Sequence, residues 1–498
     1  MVVNMRIFVI ATVVALVGNH QANAQQGLNN LWMGGYSSDN GRPWGGTNIE
    51  FISGAVDTSY VNREMDYYRT SANISSVSGT FLMSTNGYYL ADAFGDTMMN
   101  GSGLNPSNYT SLYGALLIPQ ADLLLPAPER DSKYYLFHGT VDDQAGPNAN
   151  YLYLSVIDAS LNNGLGEVIV KNQILIDDQL QYGRITATRH ANGRDWWVFC
   201  HKLNSNTFYR LLITPEGVGT PETQDIGIYR PADGGQVCFS PDGSKFAYYW
   251  GIEDLDVFDF DRCTGLLSNH VHVDIDDGNA IGGVAFSPNS QFVYVSSYYD
   301  VYQFDAQAPD LEASIVHIAH WDSTYSPSYP FATFFDIAQL APDGKIYIAT
   351  GNSTFHLHVI NSPDQQGMAS DLVQHAMTLP TYFVNSLPNH PNYHLGPIDG
   401  SVCDSLGLNV DGPQGQDEVE VRVYPNPSNG EFTVQYPAHA ASGVLVVYDA
   451  AGREVLQEYL PAWSTIHSLD LSNSAVGHYS GTLRWGVGTV TVRLTIAP

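Results

Sequence analysis

Between residues 31 and 400 the chain alternates apolar and polar positions in short runs, and no long segment keeps a helical 3.6-residue period. Tyr, Phe, Trp, Val and Ile fill these runs and Gly, Pro, Asn and Asp bound them, the pattern of short β-strands joined by tight turns. One unit recurs. VCFSPDGSKFAYYW (237–250) is an apolar strand, a Ser-Pro-Asp-Gly turn and an aromatic strand, and VAFSPNSQFVYVSS (284–297) and AQLAPDGKIYIATG (338–351) repeat it. Pro241, Asp242 and Gly243, then Pro288, then Pro342, Asp343 and Gly344 set the turn geometry and carry no catalytic meaning. Weaker copies are LWMGGYSSDNGR (31–42), TFLMSTNGYYLAD (80–92), DLLLPAPERDSKYYLFHG (122–139) and ATRHANGRDWWVFCH (187–201). The turns fall near residues 40, 86, 132, 193, 242, 289 and 343, and after most of them a third strand is readable at 151–158, 208–214, 256–261, 300–305 and 357–362. Units of about 46–60 residues with three or four strands read as a β-propeller. Each sheet buries little alone, and stacking the sheets around an axis supplies the core. Seven turns predict seven blades over residues 25–401, with six or eight left open by the first copy and the ring closure.

The two ends differ from this body. Residues 402–418 (VCDSLGLNVDGPQGQDE) read as a linker rich in Gly, Asp and Gln. Residues 419–498 then read as a small antiparallel sandwich of Ig-like size, with strands VEVRVYP, EFTVQYP, GVLVVYDAAGREV, HSLDLSN and TVTVRLTI. At the start, Met1 to Arg6 carries one positive charge and Ile7 to Val17 is an apolar run of eleven residues. Ala22-Asn23-Ala24 supplies a small-x-small cleavage pattern, with Gln25 the expected first mature residue, so residues 1–24 read as a signal peptide. Eleven apolar residues are too few for a membrane span, which needs roughly 20. The mature chain is expected to hold no membrane span.

The segment VYPNPSNGEFTVQYP (423–437) resembles the C-terminal sorting domain, type A, of Bacteroidetes proteins exported by the type IX secretion system. Tyr424, Pro425, Asn426, Pro427 and Gly430 carry the motif, and the Ala450-Ala451-Gly452-Arg453 turn matches the family's hairpin. Many family members end near a basic residue, whereas the last basic residue here is Arg493. The SPDG units resemble the WD-like repeats of bacterial surface propellers. Segments 160–175, 185–199, 259–269 and 387–401 look like those of a broad group of Bacteroidetes surface proteins that pair such a propeller with a type A tail. The resemblance implies passage through the type IX machinery, removal of the tail, and release or attachment at the cell surface.

Composition narrows the partners. The net charge is −30, with 50 acidic against 20 basic residues, of which five are Lys. Such a surface repels phosphate backbones and anionic lipid, so nucleic acid is not an expected partner. Cys200, Cys238, Cys263 and Cys403 can pair in three ways in an oxidising compartment, and their spacings hold no C-x-x-C zinc or redox motif.

Candidate chemistry is sparse. His270/His272 and His356/His358 have the period-two spacing that puts both rings on one strand face, half of a metal site without a visible third ligand. Asp274-Ile-Asp276-Asp277-Gly278-Asn279 is oxygen-rich but has Asn279 and Ala285 where a calcium loop needs Gly and Glu. It reads as a solvated turn, and any calcium would be structural; no cofactor is expected. Asp256, Asp259 and Asp261 form a similar acidic stretch beside Arg262. Trp196-Trp197, Tyr248-Tyr249-Trp250 and Tyr298-Tyr299 can stack on sugars, though inter-blade packing is the plainer use. No G-x-S-x-G, H-E-x-x-H or Walker A motif occurs. The expectation is an exported propeller that binds a glycan or protein at one end of its axial channel without catalysis. The alternatives are a polysaccharide hydrolase or lyase with dispersed carboxylates and histidines such as His138, His190 and His201, and a structural or adhesion component. Carboxylates gathered at a channel mouth would favour the enzyme, and neutral loops there would favour binding.

Overall fold

A computed structural model describes residues 27–51, 56–142, 149–398, 400–404, 421–486 and 488–497. The expected cleavage residues Ala22, Ala24 and Gln25, and the linker from residue 405 onward, lie outside them.

The described residues before 404 form a seven-bladed propeller. Blade 1 has three strands, Leu31–Tyr36, Gly45–Glu50 and Asp57–Val61. Blades 2 to 7 begin at the axis with Ala72–Ser75, Asp122–Pro126, Thr186–Arg189, Gln236–Phe239, Gly283–Phe286 and Ala338–Leu340, and each continues outward through antiparallel neighbours. Blades 2 and 3 are fused at the rim, where Thr97–Ser102 and Glu167–Leu180 pair in parallel. All five strands expected to follow the turns are third strands of their blades. Strand alternation gives the disc two distinct faces. One carries the Pro-Asp-Gly turns between first and second strands and is called the turn face here. The other carries the long connections between blades and is called the loop face.

Two of the seven sequence turns sit on the wrong face for the repeat. The turn near residue 86 joins the second and third strands of blade 2, and the turn near 40 joins two strands of blade 1 that run against the repeat. Leu31–Tyr36 is antiparallel to Ala72–Ser75, as the Asn73 Nδ2 to Leu31 O bond of 2.7 Å and the Ser71 Oγ to Met33 O bond of 2.7 Å require. A strand–turn–aromatic strand reads alike for any hairpin of a blade, so periodicity recovers the count and misses the phase.

Blades stack through apolar side chains. The ring closes where Trp32, Ile49 and Phe51 of blade 1 pack against Tyr347, Leu357 and Leu379 of blade 7. Phe383 lies so close to Gly34 that a Cβ there would be 2.0 Å from its ring, so only glycine fits. Trp196 and Trp197 are buried between blades, and their indoles donate to Pro126 O at 3.2 Å and Arg262 O at 2.9 Å. Tyr248, Tyr249 and Trp250 are buried as well.

The axis is filled by the chain itself. After blade 7, residues 384–398 cross from the loop face to the turn face inside the ring. Asn389 Nδ2 donates to Asp122 O at 3.0 Å and Ile185 O at 2.8 Å, and His390 Nε2 bonds Asn73 O at 2.8 Å. Tyr393 OH donates to Leu124 O at 2.9 Å, Asn392 Nδ2 to Pro241 O at 2.8 Å, and Arg262 Nη2 to Gly396 O at 2.5 Å. This strap thus ties blades 2 to 5 to the end of blade 7. It ends in the disulfide Cys263–Cys403, with Cα atoms 5.7 Å apart. Cys200 and Cys238 are free thiols, which settles the pairing among the four. Gln120 and Gln236 brace the ring from the other side, each joining the backbones of distant first strands.

The tail is a sandwich of a three-stranded and a four-stranded sheet around Phe432, Val434, Leu445, Leu483 and Leu494. The strand Gly477–Trp485, which pairs with both Gly443–Tyr448 and Gly488–Ile496, escapes the sequence reading. Its Gly and Ser residues look like turn material, yet it is central to its sheet.

Removing the disulfide with Cys263→Ser should lower the unfolding free energy by about 2–5 kcal/mol, because the bond closes a loop of 140 residues. Denaturant melts of variant and wild type check this, and coincident midpoints would contradict it.

Candidate functional site

The expected ligand seat, the axial channel, is occupied by the strap. What remains is a cavity of about 90 Å³ lined by the inner strands of blades 4 to 7 and by Asn389, His390 and Asn392. Its lining is neutral and rich in amides and hydroxyls. No carboxylates gather there.

The histidines named for the enzyme alternative do not converge. His138 is buried in blade 3 between Asn105 Oδ1 at 2.7 Å and Ser155 Oγ at 3.0 Å, and burial lowers its pKa to about 3. His190 sits in a turn-face turn and bonds Cys263 O at 3.1 Å. His201 packs on Phe208 and Tyr248, and burial lowers its pKa to about 4. Burial raises the carboxyls of Asp122 to about 8 and Asp336 to about 6, but both are closed off from solvent.

The metal candidates have other partners. His270 Nε2 and His272 Nδ1 do share one side of the strand, but they meet at Asp256 Oδ1, at 2.7 and 2.9 Å. His358 bonds Thr333 O at 3.1 Å and accepts from the His375 backbone N at 3.3 Å, so both its ring nitrogens are used. His356 lies against His375. In the acidic loop, Asp277 Oδ1 accepts from Asn279 N at 3.0 Å and Asp274 Oδ1 meets His272 Nε2 at 3.0 Å. Asp259 pairs with Lys245 at 2.7 Å, and Asp261 Oδ1 accepts from Cys263 N at 2.8 Å. Among the described residues no group of three or more His, Cys, Asp or Glu side chains is placed to hold a metal ion.

Aromatic rings gather on the loop face instead. Over blades 6 and 7, Tyr298 stacks on Phe334 at 4.0 Å, Phe334 meets Trp321 at 4.7 Å, and Tyr325 joins Trp321 to Tyr329. Over blades 7, 1 and 2, Phe355 stacks on Tyr382 at 4.4 Å, Tyr382 meets Trp44 at 4.6 Å, and Tyr36 bridges Trp44 to Tyr68. Tyr329 is 80% exposed and Tyr113 50%, so the arc reaches solvent. Two adjoining depressions follow it. One of about 340 Å³ is lined by Tyr36, Asp66, Tyr68, Tyr113 and Leu117, and its neighbour of about 260 Å³ by Arg69, Tyr109, Leu117, Tyr182 and Arg184. The short helix Asn108–Tyr113, capped by Ser107, presents Tyr109 and Tyr113, whose rings lie 4.8 Å apart. Asp66 Oδ1 accepts from Ser38 N at 3.1 Å, which fixes the carboxylate in the first depression.

Beneath the second depression lies a buried ionic chain between blades 4 and 5. Arg184 pairs with Asp233, and Tyr248 OH donates to Asp233 Oδ2 at 2.6 Å. Arg230 lies over the Tyr248 ring at 4.2 Å and donates from Nε to Asp256 Oδ2 at 2.8 Å. Burial alone would raise the Asp256 pKa; the bonds from His270 and His272 and the Arg230 charge outweigh it and hold the carboxyl well below the usual range. His272 is raised by its bond to Asp256, against burial.

Residues 422–497 match the secretion system C-terminal sorting domain family. The tail is a type IX sorting domain. It marks the chain for secretion or cell-surface attachment, and no helix among the described residues is long and apolar enough to cross a membrane. No curated protein matches the chain. Loose likenesses among solved structures include a proposed 6-phosphogluconolactonase from Bacteroides fragilis, 13% identical, with TM-score 0.44 over 73% of this chain and 97% of that one. A second, from Bacteroides uniformis, is 12% identical with TM-score 0.43 over 71% and 97%. The extracellular domain of a hybrid two-component system from Bacteroides thetaiotaomicron is 10% identical with TM-score 0.37 over 95% and 57%. The seven blades establish the fold by themselves.

The sorting domain's motif has a structural job. Asn426 Nδ2 donates to Arg493 O at 2.7 Å and its Oδ1 accepts from Thr495 N at 2.9 Å, clamping the last strand. Gly430 has φ +117, and a Cβ there would be 2.6 Å from Ser472 Cα. Tyr424 ends the first strand, and Pro425 and Pro427 flank the clamp.

Asp256→Asn should cost about 3–5 kcal/mol of stability, because it leaves Arg230 buried without its partner. The carboxylate's share is present above its unfolded pKa of about 3.9 and lost as pH falls through the lower folded value. The His272 share is complete below about 6.5 and fades as pH rises through its raised folded value. Unfolding of both proteins across pH should therefore show a gap widest between about pH 4 and 6.5. A gap that ignores pH would contradict this.

Proposed function

We propose that this exported propeller is a non-catalytic glycan-binding module whose ligand lies across the loop face. The arc of rings that reaches solvent at Tyr299, Tyr325, Tyr329 and Tyr113, with the half-buried Tyr68 between them lining the first depression, carries the reading. Pyranose rings present apolar C–H faces edged by hydroxyls. Tyr and Trp offer matching flat faces with a polar handle, and they lose little entropy on binding. The charge of −30 favours a neutral glycan over an acidic one.

The depressions speak for binding over hydrolysis. A glycosidase sets two carboxyls on either side of the scissile bond. The first depression has Asp66 as its lining carboxylate, and the second has none. Asp233, below Arg184, is held in its ion pair.

The full-length protein, incubated with a panel of neutral polysaccharides, should be retained by at least one and release no fragments. Tyr68→Ala and Tyr113→Ala should each weaken retention by about tenfold or more, as truncation of aromatic anchors does. Fragment release that Asp66→Asn abolishes would make the protein an enzyme.

Export has a separate readout. Deleting residues 419–498 should leave the propeller in the periplasm. The truncated chain at the cell surface, in normal amount, would refute the tail's role.

A further inference from the structure

The sorting domain does more than follow the propeller in sequence; it sits on it. Thr465 N donates to Pro342 O at 2.9 Å, so a Pro-Asp-Gly turn of blade 7 receives a tail backbone group. Tyr459 OH donates to Asp364 Oδ2 at 2.7 Å, and Asp364 Oδ1 in turn accepts from Asn289 N of blade 6 at 2.9 Å. Pro461 rests on Gly344, where an added Cβ would lie 2.6 Å from the proline ring. Ile466 joins the apolar cluster of Ile337, Ala341 and Tyr347.

The same segment borders the axial cavity. Trp463 and Thr465 line its turn-face end together with Pro241, Pro342, Asn392 and Cys238. The loop is built to hold that position. Trp463 has φ +62, a conformation that costs a residue with a Cβ about 1–2 kcal/mol, and its N–H donates to His439 O at 2.7 Å. Ser464 Oγ bonds Tyr436 OH at 2.8 Å. Among the described residues, the Thr465 and Tyr459 hydrogen bonds and one apolar patch make a modest contact, of the kind that separates once the covalent tether no longer keeps the partners concentrated.

We propose that the sorting domain is a removable stopper. Docked, its 461–466 segment seals the turn-face mouth of the axial cavity; undocked, it uncovers that cavity, the Pro342–Gly344 turn and Asp364. The propeller then exposes both of its faces, of which only the loop face is open while the tail is seated. This does not depend on what the loop face binds.

Cys238 reports the state of the stopper, because it lines the cavity. Cys200 is buried in the blade 4 core, and Cys263 and Cys403 are bonded to each other, so they serve as internal controls. The full chain, carrying a protease site inserted within residues 405–420, is treated with a small pyridyl disulfide before and after the cut and dilution. A second arm uses uncut Trp463→Ala. The expected result is Cys238 modification at least tenfold faster after the cut and several-fold faster in Trp463→Ala, with Cys200 silent throughout. Equal Cys238 rates in the intact, cut and Trp463→Ala proteins would overturn the proposal, since the cavity would be equally accessible with the tail seated.

Discussion

The propeller depends on one covalently fixed crossing of its own axis. Blade 1 has three strands and none that runs with the repeat at the centre, so the ring closes through side-chain packing of blade 1 on blade 7 and through the strap. The strap supplies the missing link. It enters at Ser386, whose Oγ is bonded to Tyr67 O, and passes Asn389 and Tyr393. The Cys263–Cys403 bond anchors it on blade 5. The Asn389 and Asn392 amides satisfy carbonyls that an open channel would leave facing water or nothing. The same crossing fills the channel and leaves the disc faces as the surfaces open to a ligand.

Charge is handled by segregation. Against a net charge of −30, the buried Arg184 and Arg230 sit deep between blades 4 and 5 with Asp233 and Asp256, and Tyr248 is shared between them. A buried ionic chain is weak evidence for stability but strong evidence for a fixed arrangement, since removing any one member strands the others. It lies under the second loop-face depression and gives it a rigid floor. The turn face is organised differently. Its first turns lock to one another through bonds such as Asp242 N to Ser290 Oγ at 3.1 Å, and the blade 7 turn receives the sorting domain at Pro342 O.

Much of this was legible in the sequence. The SPDG hairpins predict blades, their spacing predicts seven, and the Tyr424-to-Gly430 motif predicts the sandwich and its destination. The phase of the first two turns was not legible, because polarity along a hairpin leaves no trace in its apolar pattern. The strap was invisible for a related reason: LPNHPNYHLGP has no regular period, since its side chains and not its backbone make the ladder. Of the aromatic pairs singled out, Trp196-Trp197 and Tyr248-Tyr249 became core, and Tyr298-Tyr299 became part of the loop-face arc. Nothing in the sequence joins Phe355 and Tyr382 to Tyr36, Trp44 and Tyr68, because they meet only when blade 7 closes on blade 1.

The central claim is that the loop face, and not the filled axis, is the recognition surface. Amide hydrogen exchange of the full chain, with and without a polysaccharide that retains it, tests this most directly. The account predicts new protection in the loop-face segments 37–44, 62–71, 103–121 and 321–337. New protection confined to the turn-face turns near residues 242, 289 and 343 would contradict it.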